Sequence, residues 1–193
     1  MKRRIRRMSL AAVLLLVPLA GCTAGDTGQT PLCTNIDDSV FVLLAQSVPS
    51  ATQLPCVSDF PAGWSFGGSN ISSGLGRFWL DSDRGGIHAV EVSLRSSCDT
   101  TDAIEERPAP DEAATRVFVR PDSLTPSFTG VRFLRFKGGC IAYTFRFVSG
   151  ASSTLAIEAV EALSLLPRAT VVTSVQEEAG LTLCGAGAPP CEG

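Results

Sequence analysis

Two stretches of this chain alternate apolar and polar residues, and that alternation decides the fold class. In LGRFWLDSDRGGIHAVEVSLRSSC, Phe78 and Leu80 alternate with polar or bulky neighbours. Further on, Val90, Val92 and Leu94 alternate with Glu91, Ser93 and Arg95. A period of two belongs to strands with one buried face. The stretch predicts two strands joined at Ser82–Gly86. GVRFLRFKGGCIAYTFRFV predicts a second hairpin turning at Gly138–Gly139, and TRVFVRP a short strand before it.

Helical spacing flanks the strands. TNIDDSVFVLLAQSV predicts a first helix capped by Thr34, with Asp37 and Asp38 at the positive end of its dipole and Val40, Leu43, Leu44 and Val48 on its apolar face. Pro49, Pro55 and Pro61 end that helix and keep residues 49–61 from resuming it. SSTLAIEAVEALSLLP predicts a helix burying Ala156, Val160 and Leu163 and ending at Pro167. ATVVTSVQEEAGLTL predicts another, with Val171, Val175 and Ala179 in register and Gly180 just past its end, then a short strand into Cys184. The expected fold is α+β. An antiparallel sheet of about five to six strands carries an N-terminal helix and one or two C-terminal helices on one face.

The N-terminus gives an address. Lys2, Arg3, Arg4, Arg6 and Arg7 precede an apolar run from Leu10 to Ala20. That run is too short to span a bilayer, which takes about 20 apolar residues, and has the form of an export signal. Leu19, Ala20 and Gly21 lead directly into Cys22. The order resembles the lipobox of bacterial lipoproteins, in which the cysteine thiol receives a diacylglycerol and becomes the new N-terminus. The plainer alternative is a secretory signal followed by a chance cysteine. The resemblance implies a signal peptide over residues 1–21, a lipidated Cys22 with a flexible tether over residues 22–31, and one extracytoplasmic domain over residues 32–193. It places the chain at the cell membrane, lipid-anchored on the outer side, with the membrane itself as a partner.

Removing residues 1–21 takes five of the 16 basic residues and none of the 19 acidic ones, leaving a net charge of −8. That argues against a general polyanion binder, nucleic acid included. With Cys22 set aside, six of the seven cysteines remain: Cys33, Cys56, Cys98, Cys140, Cys184 and Cys191. An even number in an exported chain implies disulfides, whose pairing sequence alone does not choose. The expected pairs are Cys184–Cys191, which closes a short Gly/Pro loop, Cys98–Cys140, which joins two strand ends, and Cys33–Cys56 by elimination. Metal binding is disfavoured by the lack of CxxC and by the single histidine. No cofactor is implied.

Candidate chemistry is sparse. His88, the only histidine, would have to serve any Ser-His-Asp site, with Asp81 or Asp83 near it. No GxSxG elbow accompanies it, so a strand residue beside a turn is the simpler reading. Asp81 and Asp83 suit a hairpin turn better than a calcium loop, whose twelfth position here is Val92. GWSFGGSNISSGLG is a Gly/Ser-rich stretch able to cradle an anion with backbone N–H groups, but it lacks the ending of a nucleotide loop. DTTDAIEERPAPDEAA reads as a solvated acidic loop.

Charge is segregated further on. Arg116, Arg120, Arg132, Arg135, Lys137 and Arg146 fall within residues 115–148 against Asp122 alone, interleaved with Phe118, Phe133, Phe136, Tyr143, Phe145 and Phe147. Such arginines suit phosphate or carboxylate recognition, by anionic lipid or wall polymer in an envelope. Aromatics filling the core, with arginines lining an exposed sheet face, explain the same pattern.

The phrases VPSATQLPCV, PAGWSFGG, LDSDRGG and AVEVSLRSSCD resemble those of uncharacterised envelope proteins of high-GC Gram-positive bacteria. That resemblance implies no activity, cofactor or catalytic residue. The expectation is a non-catalytic binding or accessory module of the envelope. A small hydrolase using His88 and a solute-binding lipoprotein are the alternatives.

Overall fold

A computed structural model describes residues 28–186, apart from residues 37, 110–111 and 113–114. The described chain runs α1 (Ser39–Ser47), β1 (Gln53–Val57), β2 (Trp64–Ser72), β3 (Leu75–Ser82), β4 (Gly86–Arg95), β5 (Ile104–Glu106), β6 (Arg116–Ser123), β7 (Thr129–Phe136), β8 (Gly139–Arg146), α2 (Thr154–Ala162), β9 (Leu163–Pro167) and α3 (Arg168–Ala179). Seven strands form one antiparallel sheet in the order β2-β3-β4-β8-β7-β6-β5, and β1 pairs with β9 in a second. The α+β class, the N-terminal helix and the C-terminal helices are as expected.

Both expected hairpins are present. β3 alternates half-buried and buried positions along its whole length, and Val90, Val92 and Leu94 of β4 are fully buried. Opposite them in register stand Phe145, Tyr143 and Ile141 of β8. This face packs against α1, β1, β9, α2 and α3 as one core, around Phe41, Leu44, Leu54, Ala159 and Val171.

The sheet exceeds the expected strand count for two reasons. The Gly/Ser stretch is not an anion cradle but strand β2, turning into β3 at residues 73–74, where Gly74 has φ +81°. Its glycines serve close approach: a Cβ on Gly67, at a bulge in β2, would lie 2.5 Å from Asp81 Oδ1. The acidic loop also contains edge strand β5.

The helices differ in detail. α1 begins at Ser39 and not at Thr34, because the residues before it are tied down by the Cys33–Cys56 disulfide and the Leu32–Val57 bridge. Its buried face is Val40, Phe41, Leu44 and Ala45, while Leu43 is exposed. α2 stops at Ala162, because Leu163–Pro167 pairs with β1 instead of continuing the helix. Tertiary pairing overrides local propensity there, and α2 buries Leu155, Ala159 and Ala162. α3 buries Val171 and Val175, and Gly180 follows at φ +64° with its N–H on the Gln176 carbonyl. Residues 181–184 form no strand; Leu183 alone of them is buried.

Two of the expected disulfides are formed, Cys33–Cys56 and Cys98–Cys140. The expected Cys184–Cys191 pair involves Cys191, which lies outside the described residues, as do Leu19, Ala20, Gly21 and Cys22. Cys98–Cys140 has a clear architectural role. β4 and β5 are separated by three strands in the sheet, so residues 96–103 cross the face turned away from the helices. The disulfide fastens that crossing to β8, and Cys98 and Ala103 pack on Phe118, Val131, Phe133 and Ala142 beneath it. Among the described residues, no helix is long and apolar enough to cross a membrane.

Candidate functional site

Pairing register divides the basic segment between the two sides of the sheet. Arg116 stands opposite Arg135, Phe118 opposite Phe133, and Arg120 opposite Val131. These side chains share the face that residues 96–103 cross, and Arg146 belongs to the same face. Arg132 does not: it stands opposite Tyr143 and so projects on the helix side. Lys137 lies in the β7–β8 turn. The six residues therefore do not form one anion-binding face, because consecutive strand residues point to opposite sides. Tyr143, Phe145 and Phe147 do fill the core opposite Arg146, as alternation requires.

The counter-charges come largely from other segments. Arg116 grips Glu105 with two hydrogen bonds of 2.9 Å. The hydrogen bond from Arg116 holds the Glu105 carboxyl below its ordinary range and raises the guanidinium in turn. Arg132 reaches Glu106 at 3.1 Å and Glu112 at 2.8 Å. Arg146 lies 3.5 Å from Glu91, and Arg120 3.1 Å from Asp122. The acidic stretch is thus in part the partner of the basic one. Glu112 is buried and also accepts from the Ala109 N–H. Aromatic rings supply the remaining support: Arg116 and Arg135 lie over Phe118, Arg120 over Phe133, and Arg77 over Trp79.

His88 is exposed, at φ +51°, on the outward face near the β3–β4 turn. Its backbone N–H donates to Asp81 Oδ1 at 2.6 Å, its Nε2 lies 3.3 Å from the Gly67 carbonyl, and its ring stacks on Trp79 at 4.9 Å. Asp81 thus supports the backbone of the turn. Asp83 sits 3.5 Å from Arg84, which in turn holds Glu158. Trp79 donates to Glu91, and buried Trp64 to Glu158. These contacts tie β2, β3, β4 and α2 together at one end of the sheet.

An apolar concavity lies elsewhere. A groove of about 410 Å³ opens between α2 and the far half of the sheet, with Val119, Phe128 and Phe145 on one wall and Ala156, Ile157 and Val160 on the other. Glu106, Arg132 and Glu161 rim it. It exists because α2 turns Leu155, Ala159 and Ala162 to the core and leaves its other apolar stripe only partly covered. Ile157 is 59% exposed, and Ile104 on edge strand β5 is 70% exposed. Of the residues expected in the core, Leu163 is buried, while Ala156 and Val160 are half-buried, packing against the core and also lining the groove. Nothing in their spacing distinguishes one apolar stripe of a short helix from its neighbour.

No family model, curated protein or solved structure matches this chain.

Proposed function

We propose that the chain is a membrane-anchored extracytoplasmic lipoprotein, acylated at Cys22, whose domain is a non-catalytic binding module of the cell envelope. The two disulfides support an oxidising compartment. The groove carries the binding reading. Its apolar walls are large enough for one or two aliphatic side chains, and its rim carries the carboxylate of Glu161 beside a guanidinium already engaged by Glu106 and Glu112. Charge complementarity therefore selects a protein segment that presents aliphatic residues beside a lysine or arginine.

A photo-crosslinking residue at Ile157, introduced in living cells, tests this. The expected adduct joins an envelope protein through a segment of that composition, and Glu161→Lys abolishes it. Crosslinking at Ile157 no stronger than at exposed Ser96 overturns the reading.

A further inference from the structure

One row across the sheet gathers more cations than acids. Arg116 pairs in register with Arg135, Arg135 with Cys140, and Cys140 with Arg95. All three arginines therefore share the face turned away from the helices. Lys137 follows two residues after Arg135, in the turn at the same end. Arg95, Arg116, Arg135 and Lys137 are all exposed.

Neighbouring strands are about 4.8 Å apart, and like charges directly opposite destabilise a sheet. Arg116 and Arg135 are such a pair, both over the ring of Phe118. Glu105 pairs with Arg116, and its charge also acts on Arg135. The nearby carboxylates are committed elsewhere: Glu106 to Arg132 on the other side of the sheet, and Asp99, next to Cys98, to the Thr101 hydroxyl and N–H. An otherwise acidic chain thus concentrates positive charge at one end of its sheet.

We propose that this row is a docking edge for anionic phospholipid headgroups, with Arg95, Arg135 and Lys137 meeting lipid phosphates beside the Arg116–Glu105 pair. The proposal rests on the anchor at Cys22. Six residue steps separate Cys22 from Gly28, a reach of at most roughly 22 Å. Gly28 lies against Ser69 of β2, which is in the row of Phe78 and Val92. Val92 precedes Arg95 by three residues, about 10 Å along the strand. The cationic end is therefore within the tether's span of the bilayer. Each cation near an anionic surface strengthens association about fivefold.

The full processed lipoprotein is reconstituted into vesicles of phosphatidylcholine alone or with one part in about three of phosphatidylglycerol, and backbone hydrogen exchange is followed. Exchange at residues 95–97 and 137–138 should slow several-fold in the anionic vesicles only. About 0.5 M salt should abolish the protection, and so should Arg95→Gln with Arg135→Gln. The double variant should melt no lower than the parent, since it removes a like-charge pair. Equal exchange in both vesicle types, with the protein still inserted, overturns the docking edge and leaves the anchor standing. Failure to insert at all overturns the anchor and this proposal with it. Equal protection by soluble poly(glycerol phosphate) assigns the edge to a wall polymer and overturns the lipid assignment.

Discussion

Arg168→Met should lower the melting temperature by roughly 6–12 °C. Arg168 opens α3 and is only 2% exposed. Its Nη1 donates to the Ala45 carbonyl and its Nη2 to the Cys184 carbonyl. Ala45 is in the last turn of α1, whose final carbonyls have no partner within the helix and carry the negative end of its dipole. One guanidinium thus joins the end of α1, the start of α3 and the segment after α3. Met keeps most of the buried stem and removes both hydrogen bonds. A hydrogen bond to a charged group contributes about 1.5–3 kcal/mol, so the pair contributes about 3–6 kcal/mol. Part of this is offset because burial disfavours the charged form, which is why the Arg168 pKa falls below its ordinary value. A net loss of about 3 kcal/mol at about 2–4 °C per kcal/mol gives the stated shift. Calorimetry of the oxidised protein at neutral pH measures it, with exposed Arg116→Met as a control that should lose at most about 1 kcal/mol. An Arg168→Met variant melting within about 2 °C of the parent would refute the pinning role.

Three further outcomes are expected from the packing. Cys98→Ser with Cys140→Ser opens a crosslink with a sequence separation of 42; chemical denaturation should show a loss of about 4 kcal/mol on the loop-entropy model, and faster exchange at residues 96–103. Gly138→Ala should destabilise far more than Gly150→Ala. Both glycines have positive φ, but a Cβ on Gly138 would lie 1.9 Å from the Ser50 carbonyl oxygen and one on Gly150 meets nothing within 4 Å; a thermal melt of each compares them. Glu158 has its pKa lowered by hydrogen bonds from Arg84 and then Trp64. Its contribution is therefore complete above the ordinary carboxylate value of 4.5 and is lost as pH falls through the depressed one. Glu158→Gln should flatten the acid limb of a melting-temperature profile below that value, and an unchanged acid limb would contradict the linkage.

The sequence was most legible where one period dominated. The β3–β4 and β7–β8 hairpins follow from alternation because one face of each is buried under the helices. β2 is hidden because Gly67 serves close approach to Asp81, Gly68 a positive φ at the bulge, and Ser65 and Ser72 face solvent, so no buried stripe forms. β9 was hidden because Leu163–Pro167 continues the spacing of α2, and only its partner β1 turns it into a strand. Alternation puts Arg146 opposite the core aromatics and splits Arg132 from Arg135, three residues apart on β7; which side chains of β6 join them depends on register. Glu105, Glu106 and Glu112, the partners of Arg116 and Arg132, lie in a stretch whose composition reads as solvated loop. Arg168 carried no local signal, since its partners are backbone carbonyls distant in sequence.

Placement at the membrane depends on one covalent bond, so the mass of the mature N-terminal peptide, released from the protein purified from its native envelope, is the most direct measurement. The peptide is expected to begin at residue 22 and to carry a diacylglyceryl group on that sulfur. An intact residue 1–21 segment, or a processed chain whose Cys22 bears no lipid, would contradict membrane anchoring.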